Sequence, residues 1–401
     1  MNRRDLLKLM AAAPLSISSS RLFAAPQTDQ RFLLVFMRGG YDCASLLVPY
    51  SSSFYYESRP NIAIARPDLS GTAANVALDL DGRWGLNPAL RDSIYPLYQK
   101  GQVAFLPFTG TDDLTRSHFE TQDSIELGQT VGQSRNYRSG FLNRLVSTMS
   151  QAKESVDPIA FTDQLPIVFQ GSTQIPNMAL KSLGKPGVDD RQGQIIAGMY
   201  RDTGLAKPVA EGFEVRDDVM KNLNQEMDAS GRNAITAKGF EGEARRIARM
   251  MQERFTVGFV DIGGWDTHVG QGAATGYLSN RLGELGRGLA AYADEMGPMW
   301  KDTTVVVVSE FGRTFRENGN RGTDHGHGSV YWVMGGSVRG GRIAGEQAEV
   351  TQTGLFQNRD YPVLNEYRTV MGGLFTRLYG LDQRQLQQVF PGAKSKDLQL
   401  V

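Results

Sequence analysis

The sequence predicts an α/β fold whose predominantly parallel central sheet carries helices on both faces. Four apolar runs, at residues 31–37, 103–108, 255–262 and 305–308, are short and rich in β-branched or aromatic residues, as strands are. Between these runs lie longer segments in which apolar residues recur at helical spacing. Strands that alternate with helices are typical of a parallel sheet covered on both faces.

Further elements follow from the same patterns. The four valines at 305–308 and the run at 330–334 are continuous rather than alternating, which indicates strands buried on both faces. A short strand is expected at 166–169, and a hairpin or turn after Arg339. Helical spacing predicts helices within 82–101, from about Ser117, and at 141–149, 234–254, 275–299 and 364–379.

Length, charge and composition exclude several classes of protein. The chain has 401 residues, 43 basic and 43 acidic, so its zero net charge gives no indication of a nucleic-acid partner. It has no apolar run near the ~20 residues of a spanning helix, so we expect no stable membrane span. The single cysteine, Cys43, excludes an intramolecular disulfide and a cysteine-built zinc site.

The first 26 residues resemble a twin-arginine export signal. Arg3 and Arg4 precede a weakly apolar segment, and Ala24 and Ala25 offer a nearby cleavage site. We therefore expect the export machinery as a partner and a periplasmic or otherwise exported protein; a disordered or amphipathic terminus is the alternative. Residues 27–401 are predicted to form one domain, with a helical or loop-rich insertion or cap at 151–232.

The four histidines each follow a predicted strand. They lie in the sequences RSHFE, GGWDTH and TDHGHG. Because ligands bind at the carboxyl ends of strands in open α/β sheets, these side chains predict one shared metal or catalytic site. The alternative for each histidine alone is an ordinary core or surface position.

Carboxylates accompany the histidines, and together they predict a metal site. Mixed oxygen and nitrogen ligands suit zinc, manganese or magnesium, as one or two ions. For Asp42 the alternative is a helix N-cap. The candidate ligands are Asp42, Asp266, His268, Glu310, Asp324, His325 and His327.

Ser117, His118 and Arg313 are the candidate catalytic residues. Ser117 stands at a loop-to-helix junction, where backbone N–H groups can hold an anion. Its alternative is an N-cap whose capping box is completed by Glu120. Arg313 could hold an ester oxygen bidentately, or could form an ordinary surface ion pair.

Five motifs, MRGGYD, RSHFETQD, GWDTH, SEFGRT and TDHGHG, resemble an uncharacterised family of exported proteins grouped with the alkaline phosphatase and sulfatase superfamily. The resemblance implies a central sheet with a two-metal site and a Ser, Thr or modified Cys nucleophile. It implies metal-ligand roles for Asp42, Asp266, His268, Glu310 and either His325 or His327, and the nucleophile position for Ser117.

The chain departs from that superfamily at three positions. Glu310 and Phe311 stand where Asp-His is usual, so a second metal would require His118 or Asp324 as a substitute. The Asp and His of GWDTH are closer together than in the phosphatases. Cys43 lacks the Cys-x-Pro-x-Arg pattern of sulfatases, which favours a core role for it.

The function predicted from these residues is a periplasmic metal-dependent hydrolase of phosphate or sulfate esters. Its substrate would be a small-molecule or glycan ester. The alternative is a non-catalytic exported binding or assembly protein that keeps a degenerate metal site. A third alternative, an oxidoreductase, has only the glycine-rich GGSVRGG in its support, without the spacing of a dinucleotide fingerprint.

Overall fold

The computed structural model describes residues 30–68, 70, 73–152, 156–180 and 235–401. The predicted signal, residues 1–26, and most of the predicted insertion, residues 181–232, lie outside the described residues. No helix in the described ranges is both long enough and apolar enough to cross a membrane.

The described chain forms a large central sheet and a small three-stranded one. The strands are β1 (Arg31–Met37), β2 (Leu47–Val48), β3 (Leu78–Asp79), β4 (Gly85–Leu86), β5 (Val103–Gly110), β6 (Pro158–Ala160), β7 (Ile235–Thr236), β8 (Val257–Gly263), β9 (Thr303–Ser309), β10 (Ser329–Gly335), β11 (Arg342–Ile343) and β12 (Asn365–Glu366). The large sheet has the order β11-β5-β10-β9-β1-β8-β6, with β12 paired to β5 and β7 to β8, and the small sheet has the order β2-β4-β3.

The predicted parallel sheet is confirmed, with one exception. Strand β10 runs antiparallel to both of its neighbours, β9 and β5, whereas the other described pairs of the large sheet are parallel. At the centre, β1 lies between β8 and β9, and Met37 pairs with both Ile262 and Ser309. The three central strands therefore end together, at one edge of the sheet.

Helices cover both faces of the large sheet. The helices are α1 (Ser53–Ser58), α2 (Ile94–Gln99), α3 (His118–Leu127), α4 (Phe141–Gln151), α5 (Phe240–Glu253), α6 (Tyr277–Met296), α7 (Tyr367–Tyr379) and α8 (Gln383–Val389). One apolar cluster packs α2, α5 and α6 against one face, and a second packs α3, α4, α7 and α8 against the other.

The valine strand shows why these strands are apolar throughout. Val305 and Val307 belong to the first cluster, and Val306 and Val308 to the second. Successive side chains of a strand point to opposite faces, so a strand covered on both sides buries every residue. Each fully buried valine contributes roughly 1.5–3 kcal/mol of transfer free energy.

Three local predictions differ from the structure. The strand expected at 166–169 is a 3-10 helix, Ile167–Phe169, and the short parallel strand is Pro158–Ala160 instead. Within 82–101 only Ile94–Gln99 is α-helical, because Asn87 and Pro88 start a separate 3-10 turn. Helix α8 was not predicted, although Asp382 caps it in a capping box.

A buried ion pair lies beneath the loop that follows β1. Arg59 donates from Nη1 to Asp42 Oδ2 at 2.5 Å and from Nη2 to Asp42 Oδ1 at 2.9 Å, and both side chains are almost fully buried. Burial alone would raise the pKa of Asp42, but the charge and hydrogen bonds of Arg59 outweigh it and the pKa is lowered. The pair is therefore ionised at neutral pH.

Asp42→Asn is expected to lower the unfolding free energy at pH 7 by about 3–5 kcal/mol, because Arg59 keeps a buried charge without its partner. The folded-state pKa of Asp42 is lowered, so its contribution is present above its unfolded pKa of about 3.9 and is lost as pH falls through the folded value. Urea unfolding from pH 7 to pH 3 should show the difference between variant and wild type shrinking below about pH 4.

The control is Asp397→Asn, which removes an exposed ion pair with Arg377. It should cost less than about 1 kcal/mol at pH 7. Equal losses for the two variants would contradict a stabilising role of the buried pair.

Candidate metal centre

The candidate site lies where the three central strands end. Glu310 directly follows β9, and Asp266 and His268 lie in the loop after β8. The loop after β1 approaches this point through Gly39, which has a φ of +125°. A Cβ atom at Gly39 would lie 2.7 Å from the backbone nitrogen of Asp266, so only glycine allows the two loops to meet.

Three imidazoles converge on one buried carboxylate. Asp266 is 1 % exposed, and its Oδ1 lies 2.9 Å from His268 Nε2 and 3.4 Å from His325 Nε2. Its Oδ2 lies 3.3 Å from His118 Nε2. The structure thus brings together four of the residues predicted to share a site, and they come from three separate segments of the chain.

The Nδ1 atom of each of the three imidazoles lies within hydrogen-bond distance of an oxygen, whereas Nε2 faces Asp266. The acceptors are Glu310 Oε1 for His118 at 2.9 Å, the Arg116 carbonyl for His325 at 3.0 Å, and Asp324 Oδ1 for His268 at 3.2 Å. When Nδ1 carries the proton, a neutral imidazole keeps its lone pair on Nε2. An oxygen on Nδ1 and a free lone pair on Nε2 are the arrangement of metal-ligating histidines.

The arrangement of His268 and His325 favours a cation between or beside them. Their Nε2 atoms lie 3.2 Å apart. With both Nδ1 atoms donating to oxygens, two lone pairs would face each other across this distance. A proton or a metal ion between or beside them removes the repulsion.

Buried atoms without partners indicate the same position. His118 Nε2 and Asp266 Oδ2 are buried 3.3 Å apart, and neither has another hydrogen-bond partner among the described residues. His118, Asp266 and His325 each offer an atom within 4.8 Å of the other two. Two ligand atoms that each lie about 2.0–2.2 Å from one ion are at most about 4.4 Å apart. The Nε2 atoms of His118 and His325 lie 3.3 Å and 3.4 Å from the carboxylate oxygens of Asp266, which is compatible with a zinc-like ion.

The electrostatics of the centre favour a bound cation. Burial lowers the pKa of His118, but Asp266 and Glu310 more than reverse this and raise it to about 9. Burial raises the pKa of Glu310, yet His118 and Gln122 bring it down to about 2. The carboxylates are ionised, so without a metal ion His118 holds a proton between them.

Glu310 orients His118 and has its own oxygens occupied. Its Oε1 also accepts from Gly39 N at 2.8 Å and from Gln122 Nε2 at 2.9 Å, and its Oε2 accepts from Ser309 Oγ at 3.0 Å. Glu310 was predicted as a metal ligand. The structure places it behind His118, where it holds the imidazole.

Arg313 is joined to the centre, and its predicted alternative as a surface ion pair is not what the structure shows. It is 2 % exposed and donates from Nη2 to Asp266 Oδ1 at 2.6 Å. Its Nε and Nη1 are buried and have no hydrogen-bond partner among the described residues. Two N–H-bearing nitrogens of this guanidinium are therefore unpaired within the described part of the chain.

Two other predicted metal ligands, Asp42 and His327, lie apart from the three-histidine cluster. Asp42 is bound to Arg59, Ser45 and Gln271 and is not brought to the histidines. The ring of His327 packs 5.1 Å from that of Phe356, and burial lowers its pKa to about 4.

Two further predicted residues, Asp324 and Ser117, are neighbours of the histidines, Asp324 by contact and Ser117 in sequence. The side chain of Asp324 is 52 % exposed. It lies 3.2 Å from Nδ1 of His268, whereas Asp266 faces Nε2 of the same ring. Ser117 is the N-cap residue of α3, but its side chain makes no cap hydrogen bond, so the capping box is not formed. Ser117 directly precedes His118 in the chain.

Arg38, Gln122, Glu126 and Asp261 form a buried network that sequence reasoning missed. Arg38 donates to Asp261 Oδ2 at 2.6 Å, and to Gln122 Oε1 and Glu126 Oε1 at 2.9 Å each. Gln122 also donates from Nε2 to Glu310 Oε1, which connects this network to Glu310. One signal was available, because Asp261 is a charged residue inside an otherwise apolar strand and required a buried partner.

Comparison with known proteins gives a family. Residues 29–390 match the family described as "Protein of unknown function (DUF1501)". The chain belongs to this DUF1501 family. No protein among the curated sequences matches it.

Solved structures resemble this DUF1501 chain only distantly. A protein in the alkaline phosphatase superfamily from Vibrio parahaemolyticus is 12 % identical, with a TM-score of 0.37, over 86 % of this chain and 71 % of that one. Ps i-CgsB in complex with k-i-k-neocarrahexaose is 8 % identical, with a TM-score of 0.41, over 92 % and 75 %. The lipoteichoic acid synthase LtaP from Listeria monocytogenes is 9 % identical, with a TM-score of 0.34, over 94 % and 77 %.

Glu310→Gln is expected to weaken zinc binding by the DUF1501 protein about 10–100-fold, because His118 loses the charged acceptor that orients it. Competition with a chromogenic chelator measures the affinity. The matched control is His327→Gln, which lies outside the three-histidine cluster and should change the affinity less than about twofold. A larger effect at His327 than at Glu310 would contradict the assignment of the centre.

Proposed function

We propose that this DUF1501 protein is a metal-dependent hydrolase of phosphate or sulfate esters. Asp266, His118, His268 and His325 would hold one divalent ion. The observation that carries the proposal is the position of Arg313, whose two buried, unpartnered nitrogens lie beside the carboxylate on which the three imidazoles converge. Cation ligands next to free guanidinium donors are what a metal-assisted reaction of an oxyanion ester requires.

The ligand chemistry favours zinc among the three predicted metals. Three imidazole nitrogens and one carboxylate suit zinc or manganese, whereas magnesium prefers oxygen ligands and keeps several waters. An ion bound there would act as a Lewis acid on the ester and lower the pKa of a bound water. The chain's own residues would hold the ester and exclude solvent.

A single ion is better supported than two. The ring of Phe311 lies 5.0 Å from those of both His118 and His325. Phe311 stands where the resembling superfamily has a histidine ligand, and an aromatic ring supplies none. The oxygens of Glu310 are occupied by protein donors.

Arg313 would bind the ester group itself. Leaving a buried donor unpaired costs about 1–3 kcal/mol, so Nε and Nη1 favour a ligand that brings oxygens to them. A planar guanidinium matches two oxygens of a phosphate or sulfate group. Ser117, at the N-terminus of the ten-residue helix α3, is the proposed nucleophile.

The alternative function is a metal-binding protein without hydrolytic activity. It would share the ion and its ligands and differ only in turnover. The same assay therefore separates the two functions.

The experiment begins with purified protein and its metal content. The proposal requires one zinc or manganese ion per chain and turnover of a p-nitrophenyl phosphate or sulfate ester. Arg313→Met should lower kcat/KM by about 10²–10³-fold, since donors to the developing oxyanion are lost. Arg316→Met, an exposed arginine three residues on, should have little effect.

Each outcome decides between the functions. One ion per chain with no turnover of either ester would establish the non-catalytic alternative. A protein that binds no divalent ion would overturn both. Ser117→Ala that keeps full turnover would assign the attack to water.

We propose further that the protein reaches the periplasm by the twin-arginine route. The Arg3-Arg4 pair before a weakly apolar segment supports this. Replacing both arginines by lysine should leave the precursor in the cytoplasm, as measured by cell fractionation. Undiminished export of that variant would contradict the route.

A further inference from the structure

Gln271 joins the two loops that carry the candidate ligands. It is fully buried, and its Oε1 accepts from Thr267 Oγ1 at 3.2 Å and from Thr323 Oγ1 at 3.1 Å. Its Nε2 donates to Asp42 Oδ2 at 2.6 Å. One side-chain amide therefore contacts three separate segments of the chain.

The two threonines lie within the ligand sequences. Thr267 stands between Asp266 and His268, and Thr323 is two residues before His325. The loops also touch through the backbone, where Thr323 N donates to Thr267 O at 3.1 Å. The position of Gln271 relative to both threonines thus affects three of the four proposed ligands.

The orientation of the amide is fixed by Asp42. An ionised carboxylate is only an acceptor, so the NH₂ group of Gln271 must face it and the oxygen must face the threonines. Both threonine hydroxyls therefore donate to the same oxygen. A flipped amide would place its oxygen against the Asp42 carboxylate and lose the hydrogen bond to it.

Arg59 anchors this unit to the rest of the fold. Besides Asp42, it donates to the carbonyls of Phe315 at 2.7 Å and Thr314 at 3.2 Å. These two residues directly follow Arg313. The unit formed by Arg59, Asp42 and Gln271 is thus connected to both ligand loops and to the segment that carries the arginine.

We propose that Gln271 is a positioning residue, which sets the separation of the Asp266–His268 and His325 loops for the metal ion and is anchored on the Asp42–Arg59 pair. The inference rests on the proposed metal function. It also gives Asp42 a role, since a residue expected to bind the metal supports instead the loops that do.

The size of the effect follows from ligand geometry. Zinc sites hold their ligand distances within about 0.2 Å, so a small shift between loops weakens binding. Loss of supporting hydrogen bonds around ligands typically lowers metal affinity 10–100-fold. Occupancy is affected first, so excess zinc should restore turnover.

The test uses variants at the threonines, which are less disruptive than removing Gln271. Thr267→Val and Thr323→Val keep the side-chain shape and remove one hydroxyl each. Thr267→Ser and Thr323→Ser keep the hydroxyl. Thr303→Val is the matched control, because it removes a buried hydroxyl, bonded to Met299 O, at the opposite end of β9.

The double variant T267V/T323V is expected to bind zinc 10–100-fold more weakly than wild type in chelator competition. The double serine variant should bind within about threefold of wild type, and Thr303→Val should bind like wild type. Thr109 is a second buried control, because its hydroxyl donates to Leu106 O at 2.9 Å. Unfolding of the metal-free chains should show similar losses of stability for T267V/T323V and for the double control variant T303V/T109V.

Three results would overturn the inference, and they are distinguishable. If wild type binds zinc and the double valine variant binds equally well, Gln271 does not position the loops and the proposed function stands. If wild type binds no divalent ion, the proposed function fails and this inference fails with it. An affinity loss fully explained by global unfolding, with the serine variant equally affected, would also overturn it.

Discussion

The candidate site depends on the cost of burying Asp266. Its carboxylate is almost inaccessible to water, and a buried charge of this kind persists only when cations or donors surround it. Arg313 and a protonated His118 supply that surrounding, and His268 and His325 lie beside the same carboxylate. The loops therefore adopt positions that satisfy one carboxylate, and the same positions bring together the residues proposed to hold a divalent ion.

Much of the fold could be predicted from the sequence because the central strands are buried on both faces. Such strands are continuous apolar runs, and Arg31–Met37 and Thr303–Ser309 were identified within a few residues. The antiparallel direction of β10 was not predicted, because an apolar run does not encode its direction. The 3-10 helix Ile167–Phe169 was missed for a related reason, since three apolar residues after a proline fit either structure.

The candidate site could be predicted as a set of residues but not as a set of contacts. Chemistry and strand ends predicted that Asp266, His118 and His325 would lie close together, and the structure places them so. No pattern in the sequence predicts that Glu310 contacts Nδ1 of His118. None predicts that Asp42 forms an ion pair with an arginine seventeen positions later. Partners of buried charges are decided by tertiary packing, which a pattern along one chain does not record.

The antiparallel β10 has a consequence for how this site could change over evolution. Because β9 ends and β10 begins at the same edge of the sheet, the segment 310–328 leaves and returns without crossing the fold. Glu310, Arg313, Asp324 and His325 therefore belong to a single excursion. Insertions or exchanges within this excursion would alter the surroundings of Arg313 and His325 together while the sheet registers on either side stay intact.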